Sequence, residues 1–264
     1  LPDGIVYSKK DGRLYYTNMG IPPCNDGSVC SIRPDGSDPQ IVLSNGQIHT
    51  PKQLAMDNVD GKLYIADREG LRVMRCNLDG SCLETLVQTG NSNNATDACD
   101  QTRWCVGIAI SRRTGLFYWT QKGPSKSGTG RIFYAPIEGS GLRQPTLLLQ
   151  SLPEPIDLEI DESTNTLYWT DRGELPYGNS FNRLVLNEAG TRASSDNFEP
   201  TVGLQHEVLV QNFNETIGLC HDKDAGRWYA ADMGGTIWSF AENGSGKTIV
   251  FHDEHRSFTG ITLV

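Results

Sequence analysis

The chain has 264 residues, with 37% hydrophobic and 21% charged residues, a balance that supports a packed core and excludes a disordered chain. Its formal charge of -9 excludes a phosphate-backbone partner, because a nucleic-acid binder presents a positive stripe. No run approaches the roughly 18 apolar residues of a membrane span, and the many glycines and prolines signal a turn-rich β fold.

In chain order, each predicted unit opens with a short apolar strand: residues 4–7, 53–57, 106–110, 155–158 and 217–220. A turn follows, such as Asp11-Gly12-Arg13 or Asp60-Gly61-Lys62, and then an aromatic strand. That second strand recurs five times: Leu14-Tyr15-Tyr16-Thr17-Asn18, Leu63-Tyr64-Ile65-Ala66-Asp67, Phe117-Tyr118-Trp119-Thr120-Gln121, Leu167-Tyr168-Trp169-Thr170-Asp171 and Trp228-Tyr229-Ala230-Ala231-Asp232. The spacings are 49, 54, 50 and 61 residues. A third strand ending in glycine (72–80) and a fourth (84–87) complete the unit in its clearest copy. Four antiparallel strands repeated at this period describe a β-propeller blade, whose aromatic residues fill the layers between blades. A last apolar stretch, 258–264, reads as one more inner strand.

The cysteines point to an oxidising compartment. Six of seven fall in C-x5-C pairs: Cys24 with Cys30, Cys76 with Cys82, and Cys99 with Cys105. Turn formers between them allow the sulfurs to meet across a hairpin, so disulfides are expected; zinc, the alternative, prefers shorter spacings with histidine. Cys220 is left as a buried thiol or the partner of a cysteine elsewhere. Asn94, Asn214 and Asn243 begin N-glycosylation sequons. Together these predict a secretory or extracellular protein.

The run Leu167-Tyr168-Trp169-Thr170-Asp171 resembles the YWTD signature of the low-density-lipoprotein-receptor class B propellers, and the resemblance extends through all five copies. It implies an all-β, six-bladed β-propeller of four-stranded antiparallel blades, with five complete blades and one inner strand in this chain. Residues 1–264 would then form a single propeller domain lacking its N-terminal strands, with about 40 residues expected ahead of Leu1; a five-bladed ring is the alternative. Asn18 and Gln121 stand where the motif has Asp, so the hydrogen bonds of that Asp do not carry over to those blades. The stretch 168–183 is also similar to fungal stand-alone YWTD proteins. Those include hetero-Diels–Alderases of tropolonic sesquiterpenoid biosynthesis.

Loops at one end of a propeller are where ligands bind. Arg68 and Arg172 directly follow the motif Asp, and a guanidinium there suits an anionic oxygen. With Tyr177 and His252 as proton donors, they are the candidate catalytic residues. His49, Gln53, Lys122, Glu154, Asn214, Asp232 and His255 are candidate substrate contacts, as are Arg103 and Trp104 in the loop that Cys99 and Cys105 would clamp. Glu154 and Asp157 are too scattered to predict a metal site, and no cofactor motif is present, so neither metal nor cofactor is expected. Two functions remain. One is a pericyclase for small apolar substrates, coupling a tropolone o-quinone methide with a humulene-type alkene. The other is a secreted propeller that binds a ligand or protein without catalysis. The first predicts a concave pocket closed by long loops, such as 123–130 and 188–205; the second predicts a flat face.

Overall fold

The computed structural model describes residues 1–22, 24–44, 46–194 and 200–264. Its strands form five antiparallel sheets of four. Blade 1 is β1 (Pro2–Ser8), β2 (Arg13–Asn18), β3 (Ser28–Ile32) and β4 (Gln40–Leu43). Blade 2 is β5 (Pro51–Asp57), β6 (Lys62–Asp67), β7 (Arg72–Asn77) and β8 (Glu84–Gln88). Blade 3 is β9 (Cys105–Ser111), β10 (Leu116–Gln121), β11 (Gly130–Pro136) and β12 (Thr146–Leu152). Blade 4 is β13 (Pro155–Asp161), β14 (Thr166–Asp171), β15 (Ser180–Val185) and β16 (Glu207–Gln211). Blade 5 is β17 (Thr216–Asp222), β18 (Arg227–Asp232), β19 (Thr236–Ala241) and β20 (Thr248–His252). Each blade runs inner to outer in chain order, and the inner strands of successive blades neighbour one another.

The core lies between blades. Strand alternation sends Phe117 and Trp119 of β10 into a cluster with Tyr64 and Leu86 of blade 2, while Tyr118 turns the other way, toward Leu158 and Trp169 of blade 4. Similar clusters join blades 1 and 2 and blades 4 and 5. Trp119, Trp169 and Trp228 are fully buried, so the aromatic motif is packing material.

The motif threonine has a second task. Every inner strand carries a register shift near its start, at Pro2/Ile5, Pro51/Leu54, Cys105/Ile108, Pro155/Leu158 and Thr216/Leu219. Such bulges leave backbone groups off the ladder. Thr120 Oγ1 accepts from Gly107 N (2.7 Å) in the bulge of its own blade and donates to Ile156 O (2.8 Å) of the next. Thr17 does the same with Gly4 N (2.9 Å) and Lys52 O (2.7 Å). Thr170 links Asp157 N (3.2 Å) to Ile217 O (2.5 Å). Blades 2 and 5 have Ala66 and Ala231 there and lack this link.

Two expectations are corrected. The expected six-bladed ring gives way to five blades: residues 258–264 are not a β-strand. Gly218 of β17 packs on the backbone of Thr259 and Gly260, and Gly260 packs on Asp3 and Ile5 of β1. An inner strand pairs with its own second strand and turns its other edge to the channel, so the segment meets its neighbours by packing, with no ladder. The three expected disulfides are not formed either, and all seven cysteines are free thiols. Cys76 and Cys105 point into the core, whereas Cys82 and Cys99 are exposed. Cys24 is exposed too, in the loop before β3, while Cys30 is half-buried on that strand. Of the loop expected over 188–205, residues 195–199 lie outside the described residues. Among the described residues, no helix is long and apolar enough to cross a membrane.

Candidate functional site

The bulges re-aim the second residue of each inner strand. Asp3, Lys52, Val106, Ile156 and Ile217 all face one cavity of about 130 Å³ at the channel mouth, joined by Thr259. Val106, Ile156 and Ile217 make a small buried apolar cluster that forms one wall. The residue after the motif's last position reaches the same cavity from every blade: Met19, Arg68, Lys122, Arg172 and Met233. One level below, Gly4, Gly107, Gly218 and Gly260 let the backbones close in. A Cβ on Gly107 would sit 1.9 Å from Ile156 O. Beneath that neck the channel widens to about 260 Å³, lined by side chains such as Ile108, Leu158 and Leu219 with Glu159 among them. Burial pushes the Glu159 carboxyl up to about 7.

Motif aspartates hold the connections that enter the mouth. Asp67 accepts from His49 N (3.1 Å) and Thr50 N (2.7 Å), and Asp171 accepts from Glu154 N and Gly173 N (both 2.9 Å). Burial raises the Asp171 carboxyl to about 7. In blade 1, Asn18 instead reaches Cys30 Sγ at 3.7 Å.

Four cations meet in the cavity, each beside a carboxylate. Lys52 pairs with buried Asp3. Arg68 Nη2 lies 2.6 Å from Glu69 Oε1. Lys122 Nζ (2.9 Å) and Arg172 Nη2 (2.7 Å) share Glu154 Oε1. Glu215, 4.0 Å from Arg172 Nη1, is 37% exposed and screened by solvent. Four cations against three close carboxylates leave one excess positive charge. Burial lowers the pKa of both ammonium groups, Lys52 and Lys122, with Asp3 and Glu154 pulling them back. Burial alone would raise the Glu154 carboxyl, but Lys122 and Arg172 outweigh it and hold it below the ordinary value. An entering anion therefore relieves an electrostatic cost already present.

The other expected site residues fall into two groups. Half-buried Trp104 stands beside the mouth, with the Arg68 guanidinium 4.9 Å and Lys122 Nζ 5.8 Å from its ring. Gln53 sits at the neck and donates to Thr259 O (3.0 Å) and, at 3.4 Å, to Asp3 Oδ1. The remainder lie outside the cavity lining. Arg103 turns to Asp100 (3.1 Å) and Asp97 (3.6 Å), which, with the Asn94 cap of the short helix α1 (Ala95–Cys99), brace the loop in place of the expected disulfide. The His49 ring bonds Thr50 Oγ1 (2.8 Å). Asp232 accepts from Asn214 N (3.2 Å) and Trp238 Nε1 (2.7 Å) and is an anchor. His252 ends outermost strand β20 against Thr236 Oγ1 (3.0 Å), and His255 and Tyr177 are solvent-exposed. Tyr177 and His252, expected as proton donors, are not among the residues that line the cavity.

Sequence reading missed Asp3, Lys52, Met19 and Met233. The signal lies in their equivalence: Met19 and Met233 occupy the same place in the repeat as Arg68, Lys122 and Arg172, and Asp3 and Lys52 the same place as Val106, Ile156 and Ile217. Among the described residues, no group of three or more His, Cys, Asp or Glu is arranged to hold a metal ion.

No protein-family model matches the chain. The chain is 45% identical over 269 residues to a Cochliobolus heterostrophus protein named 3-hydroxyacyl-CoA dehydrogenase-like protein LAM1, aligning in full to 56% of it, so the chain spans little more than half of that relative. It is 42% identical over 269 residues to a Pyricularia oryzae protein named low-density lipoprotein receptor-related protein 1, covering all of this chain and 85% of that one. A chain of the nidogen/laminin complex superimposes with a TM-score of 0.72 at 18% identity, over 99% of this chain and 84% of that one, and shows the fold alone.

Proposed function

The chain belongs to the family of the Pyricularia oryzae low-density lipoprotein receptor-related protein 1, and on that premise we propose that its channel mouth binds and converts a small, singly charged oxyanion. The observation that carries this reading is the convergence of Arg68, Lys122 and Arg172 from three blades, with Lys52, on one concave cavity with one excess positive charge. Ligand sites usually enclose about 300–1,000 Å³, so a cavity of about 130 Å³ accepts one compact ring or acid head.

The reaction we propose is the hetero-Diels–Alder coupling implied by the fungal resemblance. A hydroxymethyl tropolone loses its side-chain hydroxyl and its ring hydroxyl proton as water, leaving an o-quinone methide. That heterodiene adds across an alkene, forming one C–C and one C–O bond with nothing further lost. Arg68, Lys122 and Arg172 hold the ring oxygens where negative charge gathers. Lys52, paired with Asp3, is the acid within the cavity that protonates the leaving hydroxyl, and solvent restores its proton. Orientation supplies the remainder of the rate.

The test is incubation with a hydroxymethyl tropolone and a humulene alcohol. The expected result is faster coupling to one stereoisomer, with Arg172→Gln about 100-fold slower. No effect on rate or stereochemistry would remove the coupling, and failure to bind a tropolonate would remove the anion site as well. Exposed Leu175 and Tyr177 on the loop after β14 favour a second reading, a protein partner gripped at the rim. Under that reading, Leu175→Ser with Tyr177→Ser abolishes partner capture while tropolonate binding is absent.

We also propose passage through the secretory route. The exposed positions of Asn94, Asn214 and Asn243 support it. Native protein should carry glycans removable by an endoglycosidase. An unglycosylated native mass sinks this proposal.

A further inference from the structure

The five positions that follow the motif are not chemically alike. In blade order they read Met19, Arg68, Lys122, Arg172 and Met233, so the mouth has a cationic arc on blades 2 to 4 and a thioether arc on blades 5 and 1. Each thioether borders the cationic arc or its inner partner: Met19 Sδ lies 3.0 Å from Lys52 Nζ, and Met233 Sδ 3.9 Å from Arg172 Nη1. Met233 is 40% exposed, and the apolar surface continues beyond it. Phe258 N donates to Asp232 O (3.1 Å) just before Met233, and Phe258 makes an edge contact (5.9 Å between centroids) with Phe251, itself 49% exposed. Unbranched thioethers are well suited to chains of varied shape.

We infer that Met19 and Met233 set specificity by seating a hydrocarbon tail, so that the ligand is an amphipathic organic acid held in one orientation. Its charged head lies under the cations of blades 2 to 4, and its tail leaves the cavity across blades 5 and 1 toward Phe258. This inference rests on the anion-site reading above and adds the direction and chemistry of the remainder of the molecule. Cavity size requires such an exit, because about 130 Å³ holds a head group and no long chain. Charge selects its side. A tail laid over Arg68, Lys122 or Arg172 would strip water from guanidinium or ammonium groups, whereas over Met19 and Met233 it covers apolar surface.

The test uses straight-chain carboxylates from butanoate to decanoate, titrated calorimetrically into the intact chain, with the matching alkylammonium ions as controls. Dissociation constants should fall about two- to fourfold per added methylene, the upper figure being full burial. The ammonium series should not bind. Replacing both methionines (Met19→Gln, Met233→Gln) keeps side-chain length and removes the apolar surface. It should flatten the series to less than 1.5-fold per methylene, whereas Met19→Leu with Met233→Leu should retain the slope, which separates lost tail contact from lost folding. Carboxylates that all bind equally in the intact chain, or a slope that survives in the double glutamine variant, overturn the inference while leaving the anion site standing. Carboxylates that do not bind, or that bind Arg172→Gln equally well, overturn both.

Discussion

Thr120→Val isolates the link between a blade's bulge and its neighbour. Valine matches threonine in shape and loses only the hydroxyl. Thr120 is fully buried, and its oxygen serves Gly107 N at 2.7 Å and Ile156 O at 2.8 Å, both in buried inner strands. Each stranded backbone group costs about 1–3 kcal/mol, and the added methyl offsets part of this, so the expected loss is about 2–4 kcal/mol. Guanidinium unfolding followed by tryptophan fluorescence, with buried Trp119 as a local reporter, should show a lower midpoint at unchanged slope. Thr146→Val, at an exposed outer-strand site, should stay within about 0.5 kcal/mol. A Thr120→Val loss no larger than that of the control would refute the assigned role of the motif threonine.

Other outcomes follow from the same geometry. Gly107→Ala places a methyl 1.9 Å from Ile156 O and should cost about 3 kcal/mol or more, whereas Gly115→Ala, with open space and φ of 69°, should cost about 1 kcal/mol; equal melting temperatures would contradict the close-packed neck. Glu154→Gln strands Lys122 and Arg172 beside a neutral amide and should destabilise by about 3–5 kcal/mol in chemical denaturation. His206 is buried against Trp169, and burial lowers its pKa from 6.5 to about 4. A depressed folded-state value means its contribution is complete above pH 6.5 and is lost as pH falls toward 4. His206→Gln should therefore flatten the pH dependence of the unfolding midpoint in that window, and an unchanged profile would exclude His206 as its source.

The all-β propeller was legible because a four-strand unit repeats its aromatic pattern, and strand alternation places Tyr118 and Trp119 on opposite faces without further information. Blade number was not legible. An apolar stretch such as 258–264 has strand-like composition whether or not a neighbour offers it a ladder, and pairing is a property of neighbours. At the site, Arg68, Lys122, Arg172 and Glu154 stood out because charge beside a motif draws notice. His252 and Tyr177 have suitable chemistry, but neither lines the cavity, because position within the blade decides which side chains reach the axis. Lys52 and Asp3 escaped because a bulge, which no side-chain pattern announces, aims them inward.

The threonine links grip the neighbouring strand by main-chain oxygens at Lys52, Ile156 and Ile217, and so are indifferent to what those residues carry beyond Cβ. Mechanical support and the chemistry of the cavity wall are thereby assigned to different atoms of the same residue. A lineage, or an engineer, can exchange ammonium for alkyl or acid at these places and alter what the protein handles without redrawing its frame.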